Sequence, residues 1–97
     1  MRILFYVFLL LPFLGSIHAE LQFKGLLQKA LYQEEIMGDL SQAIRLYKEI
    51  LQNHQVSKEI RAKALLRLGF CYEKQGESEQ ADKCYKEILE KNKDIPY

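Results

Sequence analysis

The sequence predicts an all-α protein: two stacked antiparallel helical hairpins that follow an apolar amino-terminal segment. Three observations predict it. Apolar residues recur at three- and four-residue spacing from Leu21 onward, glycines stand at regular breaks, and the chain matches itself when shifted by 38 residues.

Met1-Arg2 gives a short positive start, Ile3 to Leu14 is almost wholly apolar, and Gly15-Ser16-Ile17-His18-Ala19 closes the segment with a small residue. This is the layout of a secretory signal peptide. Residues 1–19 are therefore expected to be a signal peptide cut after Ala19, leaving a domain of residues 20–97. The apolar run is shorter than the roughly 20 residues of a membrane-spanning helix, and Pro12 is expected to interrupt such a helix. The alternative is an uncleaved anchor. A short signal with a single arginine suits export to the periplasm or cell envelope of a bacterium, so the protein is expected to be secreted across the inner membrane.

From Leu21 to Lys93 there is no proline, no run of β-branched residues and no strict alternation. Leu27, Ala30 and Leu31 form one apolar set. Leu40, Ala43, Ile44, Tyr47, Ile50 and Leu51 form the next. Leu65, Leu68, Gly69 and Tyr72 follow, and then Ala81, Cys84, Tyr85, Ile88 and Leu89. Each set makes one face of an α-helix. Gly38 and Gly76 stand where helices stop, because glycine takes the left-handed conformation of a helix end. Asp39 is the expected N-cap of the second helix, with Gln42 three residues on, and Ser57 that of the third, with Glu59 in its first turn. Helices are expected at 21–37, 40–53, 58–75 and 78–92, with Glu59–Lys63, Glu79–Lys83 and Glu87–Lys91 as surface pairs.

The self-match is specific. A 38-residue shift puts Gly38 on Gly76, Ala43 on Ala81, and Tyr47-Lys48-Glu49-Ile50-Leu51 on the identical Tyr85-Lys86-Glu87-Ile88-Leu89. Gly69 and Ala81 are small where two helices of a hairpin would approach, and Tyr72 and Tyr85 are large where gaps need filling.

These residues resemble the tetratricopeptide repeat family. Ala62 to Ile95 carries Leu68-Gly69 and Tyr72 at the Leu-Gly and Tyr positions of the first helix. Gly76 stands at the turn, and Ala81, Tyr85 and Ile88 on the second helix. Leu65 replaces a frequent Trp, and Pro96 comes three residues late. Lys24 to Ser57 is a second, weaker copy. Its Gly38, Ala43, Tyr47 and Ile50 fit, but Ala30-Leu31 stands for Leu-Gly and Glu34 for Tyr. Four residues, Lys58 to Arg61, separate the copies and extend the third helix by a turn. The resemblance implies a helical-repeat scaffold with repeats at about 24–57 and 62–95.

By the same resemblance, the first helix of each repeat lines a concave face that holds a peptide or helix of another protein. That face would include Lys63, Leu66, Arg67, Phe70 and Lys74 from the second repeat, with Gln28, Tyr32 and Glu35 from the first. Some family members clamp a partner's terminal carboxylate with a Lys and an Arg placed as Lys63 and Arg67 are. The other clamp positions are Gln28 and Tyr32 here, and the plainer reading pairs the two cations with Glu59 or Glu73. Two repeats leave an apolar stripe on the last helix, including Cys84 and Ile88, that is expected to self-associate or dock a partner.

No catalytic function is expected. His54 is the one histidine after residue 19, and the chain has no glycine-rich phosphate loop, no HExxH and no CxxC. Adjacent Glu34 and Glu35 are expected to face solvent. Without Arg2 the chain has thirteen basic and thirteen acidic residues, interspersed, so no basic stripe invites nucleic acid. No cofactor and no metal are expected, and a membrane is a partner only if the first segment is retained. Cys71 and Cys84 flank the Gly76 turn: they are either a disulfide that staples the hairpin or two small buried hydrophobes.

Overall fold

Where the chain turns is decided by capping. The structure is a computed structural model that describes the backbone of residues 2–91 and the side chains of residues 17–91. Four helices follow one another: α1 (Arg2–Glu35), α2 (Leu40–Leu51), α3 (Lys58–Lys74) and α4 (Ser78–Lys91). Gly38 and Gly76 have φ of 67° and 80°, the left-handed region that a side chain would strain. At Gly76 the Glu77 N–H donates to the Tyr72 carbonyl and the Gly76 N–H to that of Glu73, which satisfies two carbonyls at the end of α3. The end of α1 is wider, because the Asp39 N–H reaches back to Gln33. Asp39 accepts the Gln42 N–H at 3.1 Å and Ser57 accepts that of Ile60 at 3.3 Å, the caps expected for α2 and α3.

The helices pair as two hairpins, α1 with α2 and α3 with α4. The hairpins meet through α2 and α3, with a smaller contact of α1 on α3. The core runs through both. Ala43, Tyr47, Ile50, Ala64, Cys71 and Ala81 are fully enclosed, and Leu68 and Tyr72 are buried beside them. The extra turn at the start of α3 has a role of its own. It buries Ile60 beside Val56, and Arg61 donates to the carbonyls of Leu51 and Asn53 at 3.3 and 2.9 Å, closing the end of α2.

Four expectations are corrected. Pro12 does not interrupt the helix: α1 continues across it for 34 residues, since a proline removes one N–H from the ladder without ending it where flanking turns hold. Leu89 is not on the buried face but 66% exposed, whereas Cys84 and Ile88, expected to lie open, are buried. Cys84 and Ile88 share a side of α4 with Ala81, while Leu89 is rotated about 100° from Ile88. Among the described residues, Glu87–Lys91 forms an ion pair at 2.8 Å, while Glu59–Lys63 and Glu79–Lys83 do not. Glu34 does not face solvent. The side chains of the expected signal peptide up to Ser16, and the tail 92–97, lie outside what the structure describes; so does the end expected for the last helix. Among the described residues no helix is long and apolar enough to cross a membrane.

Candidate binding surface

At the centre of the molecule a carboxylate is buried on purpose-built donors. Glu34, near the end of α1, has a fully buried side chain. Arg67 of α3 donates from Nη2 to Glu34 Oε2 at 2.6 Å and from Nε to Oε1 at 3.1 Å. Lys74 donates to Oε2 at 2.8 Å, and the Tyr47 hydroxyl to Oε1 at 2.8 Å. Arg67 also reaches Glu35 at 2.7 Å. Burial opposes ionisation of Glu34, but the donors from Lys74, Arg67 and Tyr47 outweigh it and hold the carboxyl below its usual range. Tyr47 is pushed the other way, by burial and by the carboxylate it serves.

This cluster decides what two of the expected partner-binding residues do. Arg67 and Lys74 are committed to Glu34, and of the two cations expected to pair with Glu59 or Glu73, Arg67 pairs instead with Glu34 and Glu35 and Lys63 forms no ion pair among the described residues. A terminal-carboxylate clamp built on Arg67 would have to displace a carboxylate already held by a bidentate pair. Glu34 was missed because an adjacent pair of glutamates reads as surface. The repeat register carried the signal: Glu34 stands where the second repeat has buried Tyr72.

Phe70 packs rather than projects. The Arg67 guanidinium lies over its ring at 5.3 Å, and the Tyr85 ring meets it edge-on at 6.2 Å. Gly69 makes room for that arrangement, since a Cβ there would fall 2.8 Å from Cζ of Tyr85. Gly69 therefore faces the ring of Tyr85, its closest neighbour across the hairpin. Tyr32 is 52% exposed on α1 and Lys63 is exposed on α3. Leu66, also exposed, opens with Tyr85, Ile88 and Leu89 onto a groove of about 250 Å³ at the α3–α4 end. A larger groove of about 530 Å³ runs between α1 and α3, with Leu27, Leu31 and Ile60 in its wall and Lys24, Gln28 and Lys63 along it.

Cys71 and Cys84 are unbonded, and both are buried. Burial and the nearby Glu34 push the Cys71 thiol up to about 12, and burial raises Cys84. These are packed hydrophobes with thiols held protonated.

Two antiparallel helical pairs, each with a glycine turn, stack through α2 and α3. Models of the tetratricopeptide repeat match residues 24–55 and 62–95, about two thirds of the chain together. The chain belongs to the tetratricopeptide repeat family. No curated protein and no solved structure matches it. Tetratricopeptide repeats are protein–protein interaction modules, and a protein partner is the corresponding reading of this chain. Among the described residues no group of His, Cys, Asp and Glu is arranged to hold a metal.

Proposed function

We propose that this tetratricopeptide repeat protein is a non-catalytic scaffold, exported to the periplasm or cell envelope, that holds a segment of another protein in the groove between α1 and α3. The groove is the observation that carries the proposal. It lies between the first helices of the two repeats; Leu27, Leu31 and Ile60 line it, and Glu20, Lys24, Gln28, Glu59 and Lys63 set charged and polar groups around them. Tyr32, exposed one turn beyond Gln28, extends the surface with an aromatic of the kind that anchors interfaces. Lys63 keeps a charge that, unlike those of Arg67 and Lys74, is not bound to Glu34.

Affinity capture tests the proposal. The full chain is immobilised beside a Tyr32→Ala/Lys63→Glu variant, and bound proteins are compared. A partner retained by the native chain and lost from the variant supports the groove; an identical bound set contradicts it. Amino-terminal sequencing of the exported product tests the compartment, with a start at Glu20 expected.

A second reading draws on α1. The helix passes from the apolar segment into the first repeat without a break. If that segment is retained, it would hold the repeats directly at a membrane as a tethered spacer, and sequencing would find a start at Met1.

A further inference from the structure

The two repeats differ most where their equivalent residues should be most alike. The 38-residue shift carries Tyr47 onto Tyr85, Leu51 onto Leu89 and Glu35 onto Glu73. In the first repeat, Tyr47 is fully buried and Leu51 half-buried in the core that α3 completes, and α3 brings Arg67 and Lys74 to the carboxylates of Glu34 and Glu35. In the second repeat, Tyr85 is half-buried, while Leu89 and Leu66 are 66% and 41% exposed beside the 250 Å³ groove. The Tyr85 hydroxyl is itself buried. Burial pushes the Tyr85 phenol up most, followed by the Glu73 carboxylate, with Cys84 and Asp82 adding less. Glu73 and Asp82 are both exposed and are held by no ion pair among the described residues.

We propose that the α3–α4 end docks an amphipathic helix of a partner protein, with its apolar face on Leu66, Tyr85 and Leu89 and an arginine or lysine directed at Glu73 and Asp82. The molecule supplies the template: α3 does this to the first repeat, with apolar side chains over Tyr47 and cations on the acidic end. Charge complementarity selects the partner: the register that sets Glu35 against Arg67 sets Glu73 at the same end of the second repeat, and an exposed carboxylate there rejects an acidic helix and favours a basic one. A second copy fits poorly through α1. The register puts Gln22 and Gln33 of α1 where α3 has buried Ile60 and Cys71, and desolvating two amides costs more than burying apolar groups. The surface is separate from the α1–α3 groove, and the proposal stands independently of it.

The probe is a fluorescent synthetic peptide with the sequence of α3, residues 58–74, titrated onto the full chain and read by anisotropy. Saturable binding is expected, weakened about tenfold or more by Leu89→Glu and by Glu73→Arg. A peptide whose Arg67 is replaced by Glu is expected to bind the native chain weakly and to recover on the Glu73→Arg chain. Both protein substitutions are at exposed positions, and unchanged circular dichroism checks their folding. Absence of binding, or binding indifferent to Leu89→Glu, overturns the proposal. So does a free chain that sediments as a dimer and is made monomeric by Leu89→Glu, since a second copy would then own the face.

Discussion

Arg67 grips the carboxylate of Glu34 with two nitrogens across the boundary between the repeats, at 2.6 and 3.1 Å. The pair is 33 residues apart in sequence and joins the end of α1 to the middle of α3. Lys74 and Tyr47 complete a shell of four donors from three side chains. Apolar contacts alone would let two similar hairpins slide against each other, whereas a buried charge is satisfied in one register.

Removing that charge is predicted to be costly. Glu34→Gln leaves Lys74 without its carboxylate and Arg67 with only that of Glu35. The expected loss is about 3 kcal/mol, the low end for breaking a buried pair, because both cations keep some contact with water. Urea unfolding followed by circular dichroism measures it, and a loss below about 0.5 kcal/mol would place the pair among ordinary surface contacts.

Acid is predicted to act at the same place. The folded pKa of Glu34 lies below the ordinary carboxylate value near 4.3. A depressed carboxyl contributes stability that is complete above the unfolded pKa and is lost as pH falls through the folded one. Melting temperature should therefore fall from about pH 5 downward, and fall less steeply in Glu34→Gln. Parallel curves for the two proteins would refute the assignment.

Gly69 and Tyr85 make a prediction whose sign depends on background. Gly69→Ala gains about 0.5–1 kcal/mol of helix preference but drives a methyl into the Tyr85 ring, where overpacking costs about 1–3 kcal/mol. The ring is held by Phe70 and does not move freely. The native chain should lose about 1 kcal/mol on Gly69→Ala, while a Tyr85→Leu chain should gain on the same change. Thermal melts of the four proteins decide it.

The cysteines are predicted to be silent in the folded protein. With both thiols buried and Cys71 pushed up to about 12, iodoacetamide at pH 8 should label neither until denaturant is added, when two alkyl groups appear in the intact mass. A mass lower by two hydrogens, unlabelled even when unfolded, would reveal a disulfide instead.

Much of this fold was legible in the sequence. Periodicity located α2 and α4, which carry one-sided apolar stripes, and Gly38, Gly76, Asp39 and Ser57 marked the helix ends because caps are local chemistry; the start of α1 at Arg2 rather than Leu21 was not legible. What else was not legible depends on partners far along the chain. Glu34 looks like any surface glutamate until α3 brings Arg67 and Lys74 to it. Leu89 looks like core because its repeat-mate Leu51 is half-buried, yet nothing among the described residues covers it as Leu51 is covered. Arg67 and Lys74 read as partner-binding cations for the same reason: a sequence shows a charge but not which carboxylate has already claimed it. Gly69 lies at a close approach, where the ring of Tyr85 fills the gap.

The two hairpins nest through Glu34 and Arg67, and a double-mutant cycle measures that contact directly. Glu34→Gln, Arg67→Met and the double variant are unfolded in urea beside the native chain. The predicted coupling between the two sites is above about 1 kcal/mol. Additive losses, with coupling within about 0.3 kcal/mol of zero, would show that the two side chains do not meet and that the hairpins are joined in some other way.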